Sequence, residues 1–264
     1  MEIEYLELTA VQVALAASLI FFNGAVSVLL RLGMTKLWLV ASVRTIGQLL
    51  LIGCVLEWVF QVDRWYIVLM LMIVMTLVAG HAAVTRSERR FPGIWLNTFL
   101  CVWASSWVMA AFAVVLILRR TATWYEPQYV IPLLGMLLGN CLNGISLGLH
   151  TFTSALVSQR AEVEALLALG ASRWEAARRP VQQAVKTGLT PIMNGMMVVG
   201  IVSFPGMMTG QLLSGIPPMQ AVKYQIVIMF LIASATAMGT VGVVLLAFHK
   251  LFNARHQFLY QHLQ

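Results

Sequence analysis

Residues 151–185 read TFTSALVSQRAEVEALLALGASRWEAARRPVQQAV, the one long polar passage in a chain that is otherwise a succession of apolar runs. What surrounds this passage decides the fold. Of all residues, 60% are hydrophobic and 10% charged, with mean hydropathy +0.84, more apolar surface than a water-soluble domain of this size can bury. A bilayer core about 30 Å thick asks for roughly 20 apolar residues per helix. Such runs fall at 8–30, 37–60, 65–80, 94–118, 129–150, 185–203 and 221–249. The expectation is an all-α, polytopic transmembrane helical bundle of about seven spans, forming a single domain over 1–264. The third run is short, so it begins within the preceding turn or crosses a thinned bilayer.

Orientation follows from charge. The opening MEIEYLEL carries Glu2, Glu4 and Glu7 without a base, the reverse of a secretory signal peptide, so the first run is expected to stay in the mature protein. With this end outside, the basic groups at 31–36, 86–90, 160–179 and 250–255 all face the cytoplasm. The positive-inside bias therefore gives N-out, C-in. Only Arg64, Arg119, Arg120 and Lys223 lie near outward ends, where Trp65, Trp124, Tyr125 and Tyr129 supply interfacial aromatics. The net charge of +7 is thus a topology signal and not a nucleic-acid footprint. Cys54, Cys101 and Cys141 are far apart within apolar runs and read as small buried hydrophobes.

The polar passage asks for a function, because most connections in compact domains are far shorter. Val163, Leu166, Leu167 and Gly170 share one helical face opposite Arg160, Glu162 and Glu164, and Gly170 can take the left-handed conformation that ends a helix. Ser172 stands three residues before Glu175, a capping box that starts a second short helix at Arg173. That helix presents Trp174, Arg178 and Arg179, and Pro180 opens or kinks the run beyond it. The segment at about 151–180 is read as a cytoplasmic elbow between spans five and six. An interfacial hairpin lying on anionic membrane lipid is the competing reading.

EALLALG at 164–170 resembles the Glu-Ala-Ala-x-x-x-Gly coupling motif of ABC-transporter permeases, where a short helix docks into the ATPase subunit. Glu164, Ala165 and Gly170 match it, while Leu166 and Pro180 depart from it. The resemblance implies ATPase coupling through Glu164, Ala165, Gly170, Ser172, Arg173, Trp174, Glu175 and Arg178. No glycine precedes a lysine, so the chain lacks a P-loop. ATP would sit on a partner subunit, with no cofactor on this chain.

Further segments, LALGAS, SFPGMMTGQLLSGIPPMQAVKYQI, FNARHQF, VRTIGQLLLIG and IPLLGMLLGN, resemble the bacterial Fet-type iron-export permease family and its plant aluminium-sensitivity and STAR-type relatives. The resemblance implies a permease of the bacterial cytoplasmic (inner) membrane, assembled as a homodimer with a cognate ABC ATPase and exporting iron or a related metal. The plant members imply an alternative cargo, an organic solute such as a nucleotide sugar, or a metal complex. A non-transporting membrane scaffold is the reading from another class. An intramembrane enzyme is disfavoured, since no span carries a His-Glu-x-x-His pair or paired aspartates.

Polar groups at membrane depth are costly unless they meet each other, backbone or a cavity. Asn140 and Asn143 lie three apart in the fifth span, about 60° apart around the helix. Gly135/Gly139 and Gly144/Gly148 flank them as small-residue steps. Amide-linked helix packing and the wall of a translocation path are both open readings. In the second span Arg44 and Gln48 either anchor to headgroups or line the path, and Glu57 lies near its outer end, where it can attract cations. The fifteen methionines suit packing or soft metal, and no metal site can be assigned.

Residues 204–220 break the outer connection. Pro205 and Gly206 are expected to stop or bend the sixth helix, Met207 and Met208 to begin a short re-entrant or interfacial helix, and Pro217 and Pro218 to start the last span. The segment reads as an outer gate or dimer seam, with a simple outer loop as the alternative.

Overall fold

The computed structural model describes residues 9–86, 89–117, 125–253 and 255–263. Glu2, Glu4, Glu7, Arg119, Arg120 and Trp124 lie outside these. The described chain is helical throughout, and six helices are long and apolar enough to cross a membrane. It divides into two compact units, the first ending at Arg64 and the second starting at Trp65.

The first unit is a helical hairpin of α1 (Ala10–Leu29) and α2 (Thr35–Val62). Thr9 and Gln12 form a reciprocal capping box that starts α1. The turn between the helices is fastened by Ser27, whose hydroxyl accepts from the Met34 amide at 3.2 Å. Gly33 provides the left-handed residue there, with φ +70°. Cys54 is exposed on α2, which corrects the expectation that all three thiols are buried.

The second unit contains α3 (Trp65–Thr85), α4 (Ile94–Ile117), α5 (Pro127–Ser158), α6 (Arg160–Ala168), α7 (Arg173–Val198), α8 (Gly206–Leu213) and α9 (Pro218–Leu251). Its centre is α5, which packs on α3, α4, α7 and α9, while α9 also packs on α4 and α7. The closest approach is made by glycines. A Cβ on Gly144 would come within 2.6 Å of Thr236 Cγ2, and one on Gly188 within 2.7 Å of the Gly144 carbonyl and 2.6 Å of Thr240 Cγ2. The absence of side chains here lets α5 and α7 meet backbone to backbone, with Thr240 of α9 seated against both and Thr236 against α5. Of the two small-residue steps, Gly144/Gly148 is therefore the packing seam, whereas a Cβ on Gly139 would meet nothing within 4 Å.

Several boundaries differ from those expected. α3 runs five residues past Gly80, because Ala83 and Val84 continue its buried face and His81 stacks on Trp95 at 5.1 Å instead of ending the helix in water. At 21 residues it needs no thinned bilayer. The expected sixth span at 185–203 is no separate apolar helix. Its helical part is the second half of α7, which starts at Arg173 and holds Pro180 and Pro191 inside. Pro180 costs one backbone bond, about 3 kcal/mol in a helix interior, yet it is buried with Ala176, Ala177 and Val181 along one packed face, and that packing carries the helix through. The second helix of the polar passage is thus long, not short. Nor do Pro205 and Gly206 stop it: α7 ends at Val198, in a turn where Gly200 has φ +83° and its amide donates to the Ser203 carbonyl.

Candidate functional site

Two places in the second unit concentrate the expected residues. The first is a cavity of about 310 Å³ bounded by α5, α7, α9 and the 199–207 segment. Asn140 and Asn143 reach it from α5, one helical turn apart, and Pro205, Gly206 and Met207 close one side of it. Sequence reading placed these five in two unrelated contexts, a mid-span wall and an outer break. The structure brings them together. Met208 lines an adjoining cavity of about 510 Å³, which shares Val199, Gln225 and Met229 with the first.

The polar groups here are unevenly satisfied. Asn140 donates from Nδ2 to the Met136 carbonyl at 2.9 Å. Asn143 Oδ1 accepts from Arg86 Nη1 at 2.8 Å, so a guanidinium braces one rim of the cavity. Gln225, on α9, is only 6% exposed and its Oε1 has no partner among the described residues. A buried, unpaired amide oxygen is expensive, and one that borders both cavities is suited to a ligand. The sequence reading missed it. Its signal was an amide within the last apolar run, hidden beside Lys223 and Tyr224, which resemble the polar end of a span.

The lining offers amides, hydroxyls and thioethers. Among its residues there is no carboxylate, imidazole or thiol, and among the described residues no cluster of three His, Cys, Asp or Glu could hold a metal. Arg44, Gln48 and Glu57 belong to α2 in the first unit, where all three are exposed, and they are absent from this lining.

The second place is the corner between α6 and α7. α6 ends in a Schellman arrangement: the Gly170 amide donates to the Leu167 carbonyl, the Ala171 amide to Leu166, and Gly170 has φ +90°. Two residues on, Ser172 caps α7. Its hydroxyl accepts from the Glu175 amide at 3.3 Å and donates to Glu175 Oε2 at 2.7 Å, and its own amide donates to the same carboxylate oxygen at 2.7 Å. These bonds from the Ser172 hydroxyl and backbone hold the Glu175 carboxyl below its ordinary value. Arg160 pairs with Glu164 at 2.6 Å, which raises the guanidinium above its ordinary value, and Arg179 pairs with Glu162 at 2.8 Å.

The C-terminal turn, missed as a partner of this corner, braces it from beneath. Arg173 donates its backbone amide to His256 Nδ1 at 2.9 Å and its Nη1 to the Asn253 carbonyl at 3.4 Å. Arg160 lies over the Tyr260 ring at 3.9 Å, and Trp174 meets Phe248 edge-on at 5.6 Å. Arg178 lines a groove between α6 and α7 with Glu162 and Leu166. Ala165 and Gly170 are exposed, and Leu169 at the tip is 85% exposed. The corner is therefore a braced pair of helices ending in an apolar knob.

Comparison with known proteins places the chain in a family. The profile of the family described as "Uncharacterised protein family (UPF0014)" matches residues 10–252. A UPF0014 membrane protein of Synechocystis is 39% identical over 86% of this chain and 88% of its own length. The "Probable iron export permease protein FetB" of Escherichia coli is 30% identical over 95% of each chain. "Protein ALUMINUM SENSITIVE 3" of Arabidopsis thaliana is 28% identical over 81% of this chain and 77% of its own. No solved structure matches. The resemblance to the Fet-type permease family and its plant relatives is borne out at the level of family, and with the six apolar helices it makes this a multi-pass membrane protein.

Proposed function

The chain belongs to the UPF0014 family, and from that premise we propose that it is the membrane permease subunit of an ABC transporter exporting iron or a related metal. In this reading two copies assemble with two ATPase subunits in the bacterial cytoplasmic membrane. The amino end faces out, α7 crosses as a seventh span, and the α6–α7 corner faces the cytoplasm.

The observation that carries the reading is the corner itself. Leu169 stands 85% exposed on a pair of helices fixed by a Schellman end, a capping box and the C-terminal turn. An exposed apolar tip on a rigid mount is what a partner's groove covers. Because α7 continues unbroken from Arg173 to Val198, force applied at the corner reaches the cavity without passing through a loop. Reconstitution with the cognate ATPase tests this: ATP-dependent iron movement is expected, and it should be lost in Leu169→Glu. An ATPase that neither binds the chain nor responds to that change would refute the coupling.

One observation favours a second cargo. Among the described residues no carboxylate, imidazole or thiol lines the cavity, a poor donor set for bare ferrous ion. A metal complex or an organic solute such as a nucleotide sugar fits amides and hydroxyls better. The same vesicles, loaded with free iron, chelated iron or such a solute, separate the two.

A further inference from the structure

The larger cavity, of about 510 Å³, has a composition unlike that of its neighbour. It lies where the end of α7, the turn at 199–204 and Met208 of α8 face α9. Thioethers, aliphatic groups and two phenylalanines line it, and among the described residues Gln225 supplies its single polar side chain. The smaller cavity adds Asn140, Asn143, Ser203 and Thr236 to the same glutamine. Val199, Gln225 and Met229 are common to both linings, so an apolar chamber and a polar one meet at one amide.

That amide is chemically unfinished. Gln225 is 6% exposed, and its Oε1 accepts from no described residue. A buried carbonyl oxygen left unpaired is costly, and a guest that donates to it recovers the cost. The last torsion of glutamine is soft, so a small rotation turns the oxygen toward a guest. The rest of the lining selects the guest's body. Among the described residues no charged side chain lines the chamber, so an ion entering it would lose its water with nothing in exchange. The volume of about 510 Å³ falls within the range of about 300–1,000 Å³ that small-molecule sites occupy. The rim is apolar as well, with Phe204, Ile226 and Phe230 at 57%, 48% and 58% exposed. Ile226 and Phe230 stand on α9, a helix long and apolar enough to cross a membrane. The chamber therefore opens where apolar molecules concentrate and water does not.

We propose that this chamber is a binding site for an uncharged amphiphile taken from the bilayer, its apolar body in the larger cavity and its hydroxyl or N–H donating to Gln225 Oε1. A free ion is excluded, so this ligand differs from the metal cargo of the proposed function. Because Val199, Gln225 and Met229 border both cavities, one layer of side chains separates the amphiphile from whatever occupies the smaller one. The inference depends on neither the ATPase nor the cargo, since the chamber is built within one chain.

The test uses the full chain in lipid nanodiscs and two photoactivatable probes, a diazirine-bearing octanol and its methyl ether, the second of which cannot donate a hydrogen bond. Crosslinked residues are read by mass spectrometry. The alcohol is expected to label Met196, Phe204, Met208 or Phe230 saturably, about fivefold or more above exposed Ile73 and Leu77 of α3, and excess octanol should compete. The ether should label the chamber about fivefold less than the alcohol. Gln225→Leu should remove that difference, with thermal unfolding showing the variant folded, and Val222→Trp, which fills the chamber from α9, should suppress labelling by both probes. The comparison of alcohol with ether is made on the unaltered chain, so it decides the matter where a variant fails to fold. Labelling spread over the exposed apolar surface without saturation would overturn the site. Saturable labelling in which the ether equals the alcohol would overturn recognition by Gln225. No readout uses ATP, an ATPase or iron, so failure of this site and failure of the proposed transport are separate results.

Discussion

Gln225 and the glycine seam make opposite demands on single side chains. The unpaired Gln225 Oε1 burdens the fold, so Gln225→Leu is expected to leave thermal stability in detergent unchanged or raise it by about 1–2 kcal/mol. The same change should reduce transport severalfold, measured as ATP-dependent flux in vesicles; unaltered flux would mean that this amide serves no ligand. The seam behaves in the reverse way. Gly144→Leu must push a side chain into Thr236 and Thr240 and should destabilise the bundle by about 1–3 kcal/mol or more, read from thermal unfolding. Gly139→Ala, with nothing within 4 Å, should be neutral in the same measurement. Both glycine pairs look alike in the sequence, because spacing shows that a close approach is possible but not which neighbour comes near. Asn140 and Asn143 were legible as polar residues at depth, whereas Gln225 was not, since a glutamine two residues from a lysine reads as the watery end of a span.

At the level of elements, the α6–α7 corner was the most legible part of the chain. Glycine at the helix end and the Ser172/Glu175 box act through the backbone within a few residues, so local sequence is enough to specify them. Pro180 misled for a related reason. Its local cost is real, but burial of one whole face of α7 outweighs it, and that burial is tertiary information. The cap yields a prediction with a defined sign. Because the folded-state pKa of Glu175 is lowered, its contribution is complete above the ordinary value of 4.5 and is lost as pH falls through the lower, folded value. Amide protection factors at 173–176, exchange rates corrected for the intrinsic pH dependence, should fall across that acid window in the native protein, and in Glu175→Gln they should be lower at neutral pH and nearly flat through the window. Ser172→Ala removes the other half of the box and should loosen the same turn by about 1 kcal/mol.

For the whole molecule, the helical class was readable from composition, six helices being apolar enough to span where about seven runs were expected, while the cavity was not. It joins α5 to the 199–207 segment across more than fifty residues of sequence, and no periodicity reports such a meeting. Its closing residues give a prediction at this scale. A Cβ on Gly206 would meet nothing within 4 Å, so Gly206→Ala should insert and fold normally. If the segment is a moving gate, Gly206→Ala and Pro205→Ala should both slow flux without changing ATPase binding; normal flux in both would reduce this segment to a plain connection.

The seam at Gly188 has a mechanical consequence. α7 is packed along one face from Ala176 to Gly188 and is gripped most closely at Gly188, beside Gly144 and Gly148, with about 22 Å of helix from there back to Arg173 and about 15 Å onward to Val198 at 1.5 Å per residue. A rod held so is a lever with Gly188 as its fulcrum. Pressing the corner inward would swing the far arm outward by about two-thirds of the distance, so a load on the corner would displace Pro191, Ile192 and Gly195, the part of α7 that lines the cavity.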